Sequence, residues 1–177
     1  MARASVEHGL CRGAPLPVDA AALDEPLRRP AASFVTLRRA SGELRGCVGE
    51  LEPLHALVES VARNAWNAAF QDPRFGPVRR AELAALAFHV SVLGPLEPLA
   101  VRSVAELAAA LRPGADGVLL DDGDRHRATF LPAVWSSLPD PRRFVRELQH
   151  KAGLADGGWP ATMRVWRYAA LEIPEPD

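Results

Sequence analysis

The pattern of apolar and polar positions predicts a β-hairpin in the first third of the chain. Residues 33–38 and 44–51 are rich in apolar and β-branched side chains, and Ser41-Gly42 between them is a typical turn sequence. Further along, residues 87–93 place apolar side chains at alternate positions, which indicates a strand with one buried face. Three strands are therefore expected in the N-terminal half.

A helical repeat of apolar residues lies between the hairpin and the third strand. Apolar side chains recur at helical spacing from Leu54 to Ala69, and Pro53 suits the first turn of a helix. A proline disfavours the helical conformation of the residue before it, so Pro73 should end this helix near Gln71. A short helix is expected over 80–86.

The rest of the chain alternates between short helices and strands, and its opening residues are expected to be mobile. Helices are predicted over 18–27, over 103–112 behind a Ser-x-x-Glu capping box, and over 141–153 behind the capping residue Asp140. Strands are predicted over 118–121, 128–131 and 163–173. Because strands and helices mix without a regular βαβ order, we predict an α+β fold with mainly antiparallel sheets flanked by helices.

Composition indicates an ordinary globular protein and disfavours several classes of function. The 177 residues suffice for one well-cored domain or two small subdomains, and 48% of them are apolar and 24% charged. A net charge of −1 provides no basic surplus for nucleic-acid binding. No apolar run approaches the roughly 20 residues of a membrane span, and charged residues interrupt the N-terminal segment, so neither a signal peptide nor membrane association is predicted. The expected location is the cytoplasm.

Residues that bind metals are too scattered to form a recognisable motif. Cys11 and Cys47 are not part of a Cys-x-x-Cys pair, and none of the five histidines has a partner at helical i, i+4 spacing. Without a zinc or iron signature, no metal site and no cofactor are predicted. Both cysteines are expected to be reduced thiols.

The segment Leu44-Arg45-Gly46-Cys47-Val48-Gly49 concentrates the most distinctive chemistry of the chain. If it forms a strand, Arg45 and Cys47 project from the same face, and a cation beside a thiol favours the reactive thiolate. Gly46 and Gly49 would leave room for a ligand, or would instead allow a bulge or close packing on the following helix. The pattern indicates Arg45 and Cys47 as candidate catalytic residues, and Arg45, Gly46 and Gly49 as candidate ligand-binding residues.

Arg45 and Cys47 also admit purely structural interpretations. Unpaired cysteine is among the most buried residue types, so Cys47 could be a small core residue instead of a nucleophile. Arg45 could hold a carboxylate or phosphate in its planar fork, or could form an ion pair with Glu43 or Asp72. Both alternatives remain open from the sequence.

Four further residues complete the set of candidate ligand-binding residues. Asp72 and Arg74 either line the site or stabilise the turn that they belong to. His89 and Ser91 face the same side of their predicted strand, and His89 is the histidine best placed to act with Cys47. Taken alone, each of these two side chains would more often be an ordinary strand residue.

A series of short segments, spread over about residues 30–173, occurs in an order typical of one known family. The segments are Ser33–Leu37, Leu44–Gly49, Asn64-Ala65, Ala68–Phe70, Asp72–Phe75 with Pro77, Ser91–Leu93, Asp116-Gly117, Phe130–Pro132, Val134-Trp135 and Lys151–Leu154. No single segment is decisive, but the ordered set is specific. The chain thereby resembles the AMME-syndrome chromosomal region candidate family, whose bacterial members are called AmmeMemoRadiSam system protein A.

The resemblance implies a fold of two subdomains, with the Leu44–Gly49 segment by a cleft between them. It implies a larger subdomain built from both termini and a smaller one within about residues 33–93. It also implies two partners, a Memo-type protein and a radical S-adenosylmethionine (SAM) enzyme, but no settled reaction.

Two positions depart from the family pattern. Glu50 stands where Thr or Ser usually follows the motif, and Gln149 stands where many members have a cysteine before Lys-Ala-Gly. If that cysteine were required for chemistry, this protein could not perform the chemistry in the same way.

Two functions remain open. One is an enzyme-like or accessory component that binds a small anionic ligand at the motif, with Cys47 as candidate nucleophile. The other is a non-catalytic protein-interaction or regulatory module.

Overall fold

The computed structural model describes residues 1–175, which fall into two compact units. The first unit contains residues 1–93 and the C-terminal segment from Leu171, and the second contains residues 94–170. In chain order the elements are α1 (Ala2–Arg12), α2 (Glu25–Arg28), β1 (Ser33–Arg39), β2 (Leu44–Gly49), α3 (Leu57–Phe70), α4 (Arg80–Leu83), β3 (Leu86–Leu93), β4 (Glu97–Leu99), α5 (Val104–Ala110), β5 (Gly117–Asp121), β6 (Arg127–Phe130), α6 (Pro141–Lys151), β7 (Arg164–Tyr168) and β8 (Ala170–Pro174). Short 3₁₀ turns lie at Ala20–Ala22 and Pro132–Ser136.

The first unit is a four-stranded sheet in the order β2-β1-β3-β8, with β1 antiparallel to both of its neighbours. Val35 and Leu37 of β1 are fully buried and alternate with less buried positions. They form a core with apolar residues of α3, such as Val61 and Ala65, and with Val6 of α1. One face of the sheet is therefore covered by helices, and the residue between Val35 and Leu37 projects from the opposite face.

The second unit is a four-stranded sheet in the order β4-β7-β5-β6, in which every paired strand is antiparallel to its partner. Its core combines Val118 and Leu120 of β5 with apolar residues of α5 and α6. Trp135 stacks on Phe144 of α6 with 3.9 Å between the ring centroids. The α+β class with antiparallel sheets flanked by helices is thereby confirmed.

Most predicted elements are present, with differences that have physical causes. The long helix begins at Leu57 instead of Pro53, because the preceding residues are extended and pair with another segment: the Ala31 N–H donates to the His55 carbonyl oxygen, and the Leu57 N–H to that of Arg29. Residues 2–12 form α1 although mobility was expected there. The helix predicted over 18–27 is divided into a 3₁₀ turn and α2, and the strand predicted over 163–173 is divided into β7 and β8.

The two units divide the chain after Leu93 and after Ala170. Residues 33–93, where the smaller subdomain was expected, lie in the same unit as the N-terminal residues and the segment from Leu171. The reason is that β8 joins the sheet of β1, β2 and β3. Within residues 1–175, no helix is both long and apolar enough to cross a membrane.

Candidate functional site

Cys47 lies on β2, the edge strand of the first sheet, and is partly buried. The register of the hairpin places it opposite Thr36 on β1. The Thr36 hydroxyl donates a hydrogen bond to Cys47 Sγ, with 3.3 Å between Oγ1 and the sulfur. The thiol is therefore not fully enclosed in the core, and a hydroxyl group faces its sulfur.

His89 lies on the other side of Thr36. The pairing of β1 with β3 places Thr36 opposite His89, so Cys47, Thr36 and His89 project from the same face in one row across three strands. Neighbouring strands are about 4.8 Å apart, so about two strand spacings separate the backbones of Cys47 and His89. The sheet therefore places His89 on the face of the thiol, with Thr36 between the two residues in the row.

Asp72 and Arg74 hold the outward backbone groups of Cys47. The Cys47 N–H donates to Asp72 Oδ2 over 2.9 Å, and Arg74 Nη2 donates to the Cys47 carbonyl oxygen over 3.1 Å. Because β2 has a neighbouring strand on one side only among the described residues, these two side chains occupy the position of a second neighbour. Both backbone hydrogen-bonding groups of the thiol-bearing residue are thereby fixed.

Asp72 and Arg74 also bind each other. The Asp72 carboxylate accepts three hydrogen bonds from Arg74, from the backbone N–H and from Nε and Nη2 of the guanidinium, over 2.7 to 3.1 Å. The Asp72 side chain is 2% exposed and that of Arg74 is 53% exposed. The hydrogen bond from the Arg74 side chain, followed by those from the Cys47 and Arg74 backbone, lowers the pKa of Asp72 to about 2 against the opposing effect of burial. Asp72 and Arg74 therefore stabilise the turn, and the same two side chains contact Cys47.

Arg45 is 5% exposed and its fork is occupied by a carboxylate of the protein itself. Its Nε and Nη2 donate to the two oxygens of Glu82 on α4 over 2.9 and 3.2 Å, and Nη2 also donates to the Gly76 carbonyl oxygen. The bond from Arg45 is the largest cause that lowers the pKa of Glu82 to about 2. The ion-pair interpretation of Arg45 thus has a partner that the sequence did not indicate, since neither Glu43 nor Asp72 fills this place.

One nitrogen of Arg45 has no hydrogen bond within the described part of the chain. Nη1 is buried and unpaired there, and the guanidinium carbon lies 5.9 Å from the centre of the Phe75 ring. An aromatic face interacts favourably with a cation at this distance. Arg45 therefore supports the segment from Gly76 to Glu82 against β2, and it offers a ligand little access.

The two glycines of the motif are needed for close contacts within the protein. A Cβ at Gly46 would collide with the backbone carbonyl oxygen of Ala68 on α3, so the strand and the helix touch here. A Cβ at Gly49 would collide with the ring of Phe34 on β1. Gly46 therefore allows close packing of the strand on the following helix, and an aromatic ring fills the space beside Gly49.

Ser91 is buried on the same face as His89 and is bound to the C-terminal strand. Its hydroxyl donates to Glu172 Oε2 of β8 over 2.9 Å. Glu172 is exposed and was not among the candidate residues. The hydroxyl of Ser91 is therefore engaged by a side chain distant in sequence.

The cation that contacts Cys47 is Arg74, through the Cys47 carbonyl oxygen. The pKa of Arg74 is raised mainly by its hydrogen bond to Asp72, and the negative charge of an ionised Cys47 also raises it. The sequence assigned the role of neighbouring cation to Arg45, which is two residues away on the same strand but is engaged by Glu82.

Three residues of the site were absent from the sequence-based set: Thr36, Glu82 and Glu172. Each meets its partner through strand pairing or through a loop, and only a known register would have identified Thr36. Among the residues that the structure describes, no group of three or more histidine, cysteine, aspartate or glutamate side chains is arranged to hold a metal ion.

Comparison with known proteins identifies the family. The AMMECR1 family profile matches residues 1–173. A protein of Methanothermobacter thermautotrophicus is 38% identical over 175 residues, which is 96% of this chain and 88% of that protein. A protein of Aeropyrum pernix is 37% identical over 179 residues, covering 96% of this chain and 74% of that protein.

The fold is also similar to a solved structure. The crystal structure of the uncharacterised protein PH0010 from Pyrococcus horikoshii has a TM-score of 0.88 and 30% sequence identity, and the similarity covers 98% of this chain and 87% of that one. The resemblance noted in the sequence is thereby confirmed, and this chain belongs to the AMMECR1 family.

Proposed function

We propose that this protein is an enzyme-like component that binds a small anionic ligand beside Cys47 and uses the thiolate as a nucleophile. The observation that carries the proposal is the arrangement around one partly buried thiol. Thr36 donates to its sulfur, and Asp72 and Arg74 hold its backbone. Reactive thiolates are favoured by adjacent cations and by partly exposed surroundings. The thiol of Cys47 is partly exposed.

Arg74 is the residue best suited to bind the anionic group. Its Nε and Nη2 are engaged by Asp72 and by the Cys47 carbonyl oxygen, whereas its Nη1 makes no hydrogen bond within residues 1–175. The side chain is 53% exposed, so solvent and a small anion can reach the guanidinium that binds the Cys47 carbonyl oxygen. An anion bound there would place a neighbouring carbon atom close to the sulfur. The proposed ligand class is therefore a carboxylate or similar oxyanion with an electrophilic carbon next to the anionic group.

The proposal includes the partners that the family resemblance implies. We propose that the protein acts in the cytoplasm with a Memo-type protein and a radical SAM enzyme. Family membership supports this part of the proposal, and an affinity purification of the tagged protein from its own host tests it. Recovery of neither partner, from cells that express both, would count against it.

Iodoacetate and iodoacetamide provide a direct test of the anion-binding thiol. Both reagents form a bond from the sulfur to a methylene carbon and release iodide, but only iodoacetate carries a carboxylate next to that carbon. In the variant Cys11→Ser, which leaves Cys47 as the remaining thiol, we expect iodoacetate to react faster relative to iodoacetamide than it does with N-acetylcysteine. Arg74→Gln should lower that ratio by about fivefold, because one charge-assisted contact is lost.

The outcome that would overturn the proposal is equally concrete. A native Cys47 that reacts with neither reagent up to about pH 9, but reacts after unfolding, is a buried structural thiol. A ratio that Arg74→Gln leaves unchanged would remove Arg74 as the anion-binding residue. Arg45→Ala is a poor test, because it would also release Glu82 and the Gly76 carbonyl oxygen.

A non-catalytic binding module is the second candidate function. It is favoured by one observation: within residues 1–175, the sulfur of Cys47 forms its side-chain hydrogen bond with a hydroxyl and not with an imidazole or a carboxylate. In that case Cys47→Ser should retain partner binding, whereas Arg74→Gln should lose it. Equal loss in both variants, with the fold intact, would favour the thiol chemistry.

A further inference from the structure

We infer that Thr36 is a positioning residue that holds the Cys47 thiolate, an inference that rests on the proposed function of this thiol. The hydroxyl oxygen of Thr36 lies 3.3 Å from the sulfur and donates to it. A hydroxyl has a single proton, so this donation commits the proton of Thr36 to the sulfur. Ionisation of the thiol turns the contact into a charge-assisted hydrogen bond, which is stronger than a neutral one.

The fold fixes Thr36 before any ligand arrives. Thr36 lies on β1, which has β2 on one side and β3 on the other, so its backbone is held by both neighbours. Its branched side chain has few allowed rotamers on a strand. A donor that is already in place does not have to reorganise when charge develops on the sulfur.

The Thr36 hydroxyl has no competing structural duty among the described residues. Within residues 1–175, its hydrogen bond is to the Cys47 sulfur, and no backbone group takes part. Valine has nearly the same shape and a high strand preference, so it would fill the same space without the hydroxyl. A hydroxyl at this position therefore acts on the sulfur and is dispensable for the sheet.

The charged and titratable groups around the sulfur come from three elements. Arg74 and Asp72 approach from the turn that follows α3, and His89 projects from β3 on the far side of Thr36. Arg45 of the same strand is turned to Glu82. Thr36 lies between Cys47 and His89 in the row of side chains across the three strands.

The test compares Thr36→Val and Thr36→Ser in the Cys11→Ser background. Alkylation by neutral iodoacetamide is followed from about pH 6 to pH 9. Thr36→Val should lower the rate near neutral pH by about fivefold and displace the rate–pH curve to higher pH, because one donor to the thiolate is lost. The rate on the alkaline plateau should change little. Thr36→Ser should restore most of the neutral rate, since it restores the donor.

The chain provides its own control thiol. In the Cys47→Ser background, Cys11 should react at the same rate whether or not the Thr36→Val substitution is present. The reason is that Cys11 is exposed on α1, where its sulfur accepts a hydrogen bond from Arg80 and not from Thr36. Thermal unfolding of each variant verifies that the fold is retained.

Two readouts separate failure of this inference from failure of the proposed function. The ultraviolet absorbance of the thiolate reports ionisation of Cys47 even where no reagent can enter. If alkylation fails but the absorbance titration moves to higher pH in Thr36→Val, the inference about Thr36 stands and the proposed nucleophilic role of Cys47 is overturned. If Thr36→Val changes neither curve, or slows alkylation equally at every pH, Thr36 does not hold the thiolate and the inference is overturned.

Discussion

The two cysteines of the first unit each lie beside an arginine, but the two arginines are held very differently. Cys11 is exposed on α1, and Arg80 Nη2 donates to its sulfur over 3.0 Å. The guanidinium of Arg80 makes no other hydrogen bond within residues 1–175. At Cys47 the guanidinium of Arg74 is fixed by the buried carboxylate of Asp72 and by a backbone carbonyl.

A cation next to a thiol is therefore not in itself a site. An exposed arginine is solvated and mobile, and an exposed charge pair contributes little. At Cys47 the cation, the hydroxyl and the backbone of the thiol are all held by other groups of the protein, so the surroundings are fixed in advance. Variants of the two surroundings, together with changes of pH and salt, measure how far this contrast extends.

Removal of the carboxylate that organises the Cys47 surroundings should have the largest effect. Asp72→Ala takes the acceptor from the Cys47 N–H and leaves the Arg74 guanidinium without its carboxylate, so we expect a loss of about 3 kcal/mol in the free energy of unfolding. Asp19→Ala is the matched control, because exposed Asp19 accepts one backbone N–H and should cost about 1 kcal/mol or less. Denaturation in urea measures both. A similar loss for the two variants would show that Asp72 does not organise the site.

Acid should remove part of the same stabilisation. The pKa of Asp72 is lowered from 3.8 to about 2, so its contribution is fully present above the ordinary value and is lost as pH falls through about 2. We expect the difference in unfolding free energy between the wild-type protein and Asp72→Asn to shrink by about 2 kcal/mol over this range. The stabilising contribution of the Glu82 carboxylate, whose pKa is lowered from 4.5 to about 2, should be lost over the same pH range. A difference that stays constant down to about pH 2 would contradict the prediction.

Replacement of each arginine in turn compares the two cysteines directly. Arg74→Gln should lower the iodoacetate-to-iodoacetamide ratio at Cys47 by about fivefold and leave Cys11 unchanged. Arg80→Gln should lower the ratio at Cys11 by about twofold or less and leave Cys47 unchanged, because an exposed charge is largely solvated. Mass spectrometry of each labelled peptide gives both ratios in one sample. Equal effects of the two variants, each on its own cysteine, would abolish the distinction drawn between the sites.

Salt should have the smallest effect and should act mainly on Cys11. At about 0.5 M salt, exposed charges are strongly screened, so the preference of Cys11 for iodoacetate should fall by about twofold. The preference at Cys47 should fall less, since Arg74 is held against a buried carboxylate. Labelling at a series of salt concentrations measures both slopes. A steeper slope at Cys47 would contradict the idea that its cation is fixed.

The sequence predicted β1, β2 and β3 well because they have strong local patterns, whereas β4, which contains Pro98, was not predicted. The hairpin strands are rich in apolar and β-branched residues with a turn sequence between them, and residues 87–93 alternate clearly. Helix α1 has only two larger aliphatic residues, Val6 and Leu10, and tertiary contacts hold it. Val6 is fully buried, and the hydroxyl of Ser5 donates to the Ala62 carbonyl oxygen of α3. Local propensity contains no record of such contacts, so this helix was missed.

The candidate site was predictable in its parts but not in its pairing. Alternation along β2 was enough to place Arg45 and Cys47 on one face, and the turn residues Asp72 and Arg74 were recognised. Which arginine serves the thiol depends on where the segment from Asp72 to Glu82 returns to the strand, and no local pattern encodes that. The position of Thr36 depends on the register between strands, which is likewise a property of the whole sheet.

The hydrogen bonds from Asp72 and Arg74 to Cys47 also prevent another chain from adding a strand at the outer edge of β2. An edge strand with free N–H and C=O groups is a template on which another chain can add a strand, and natural proteins block such edges. Two side chains from a turn do this at Cys47, where no further strand of the described chain pairs with the outer side of β2. The same turn therefore positions the thiol and blocks the sheet edge, and selection on either of these two roles would preserve both.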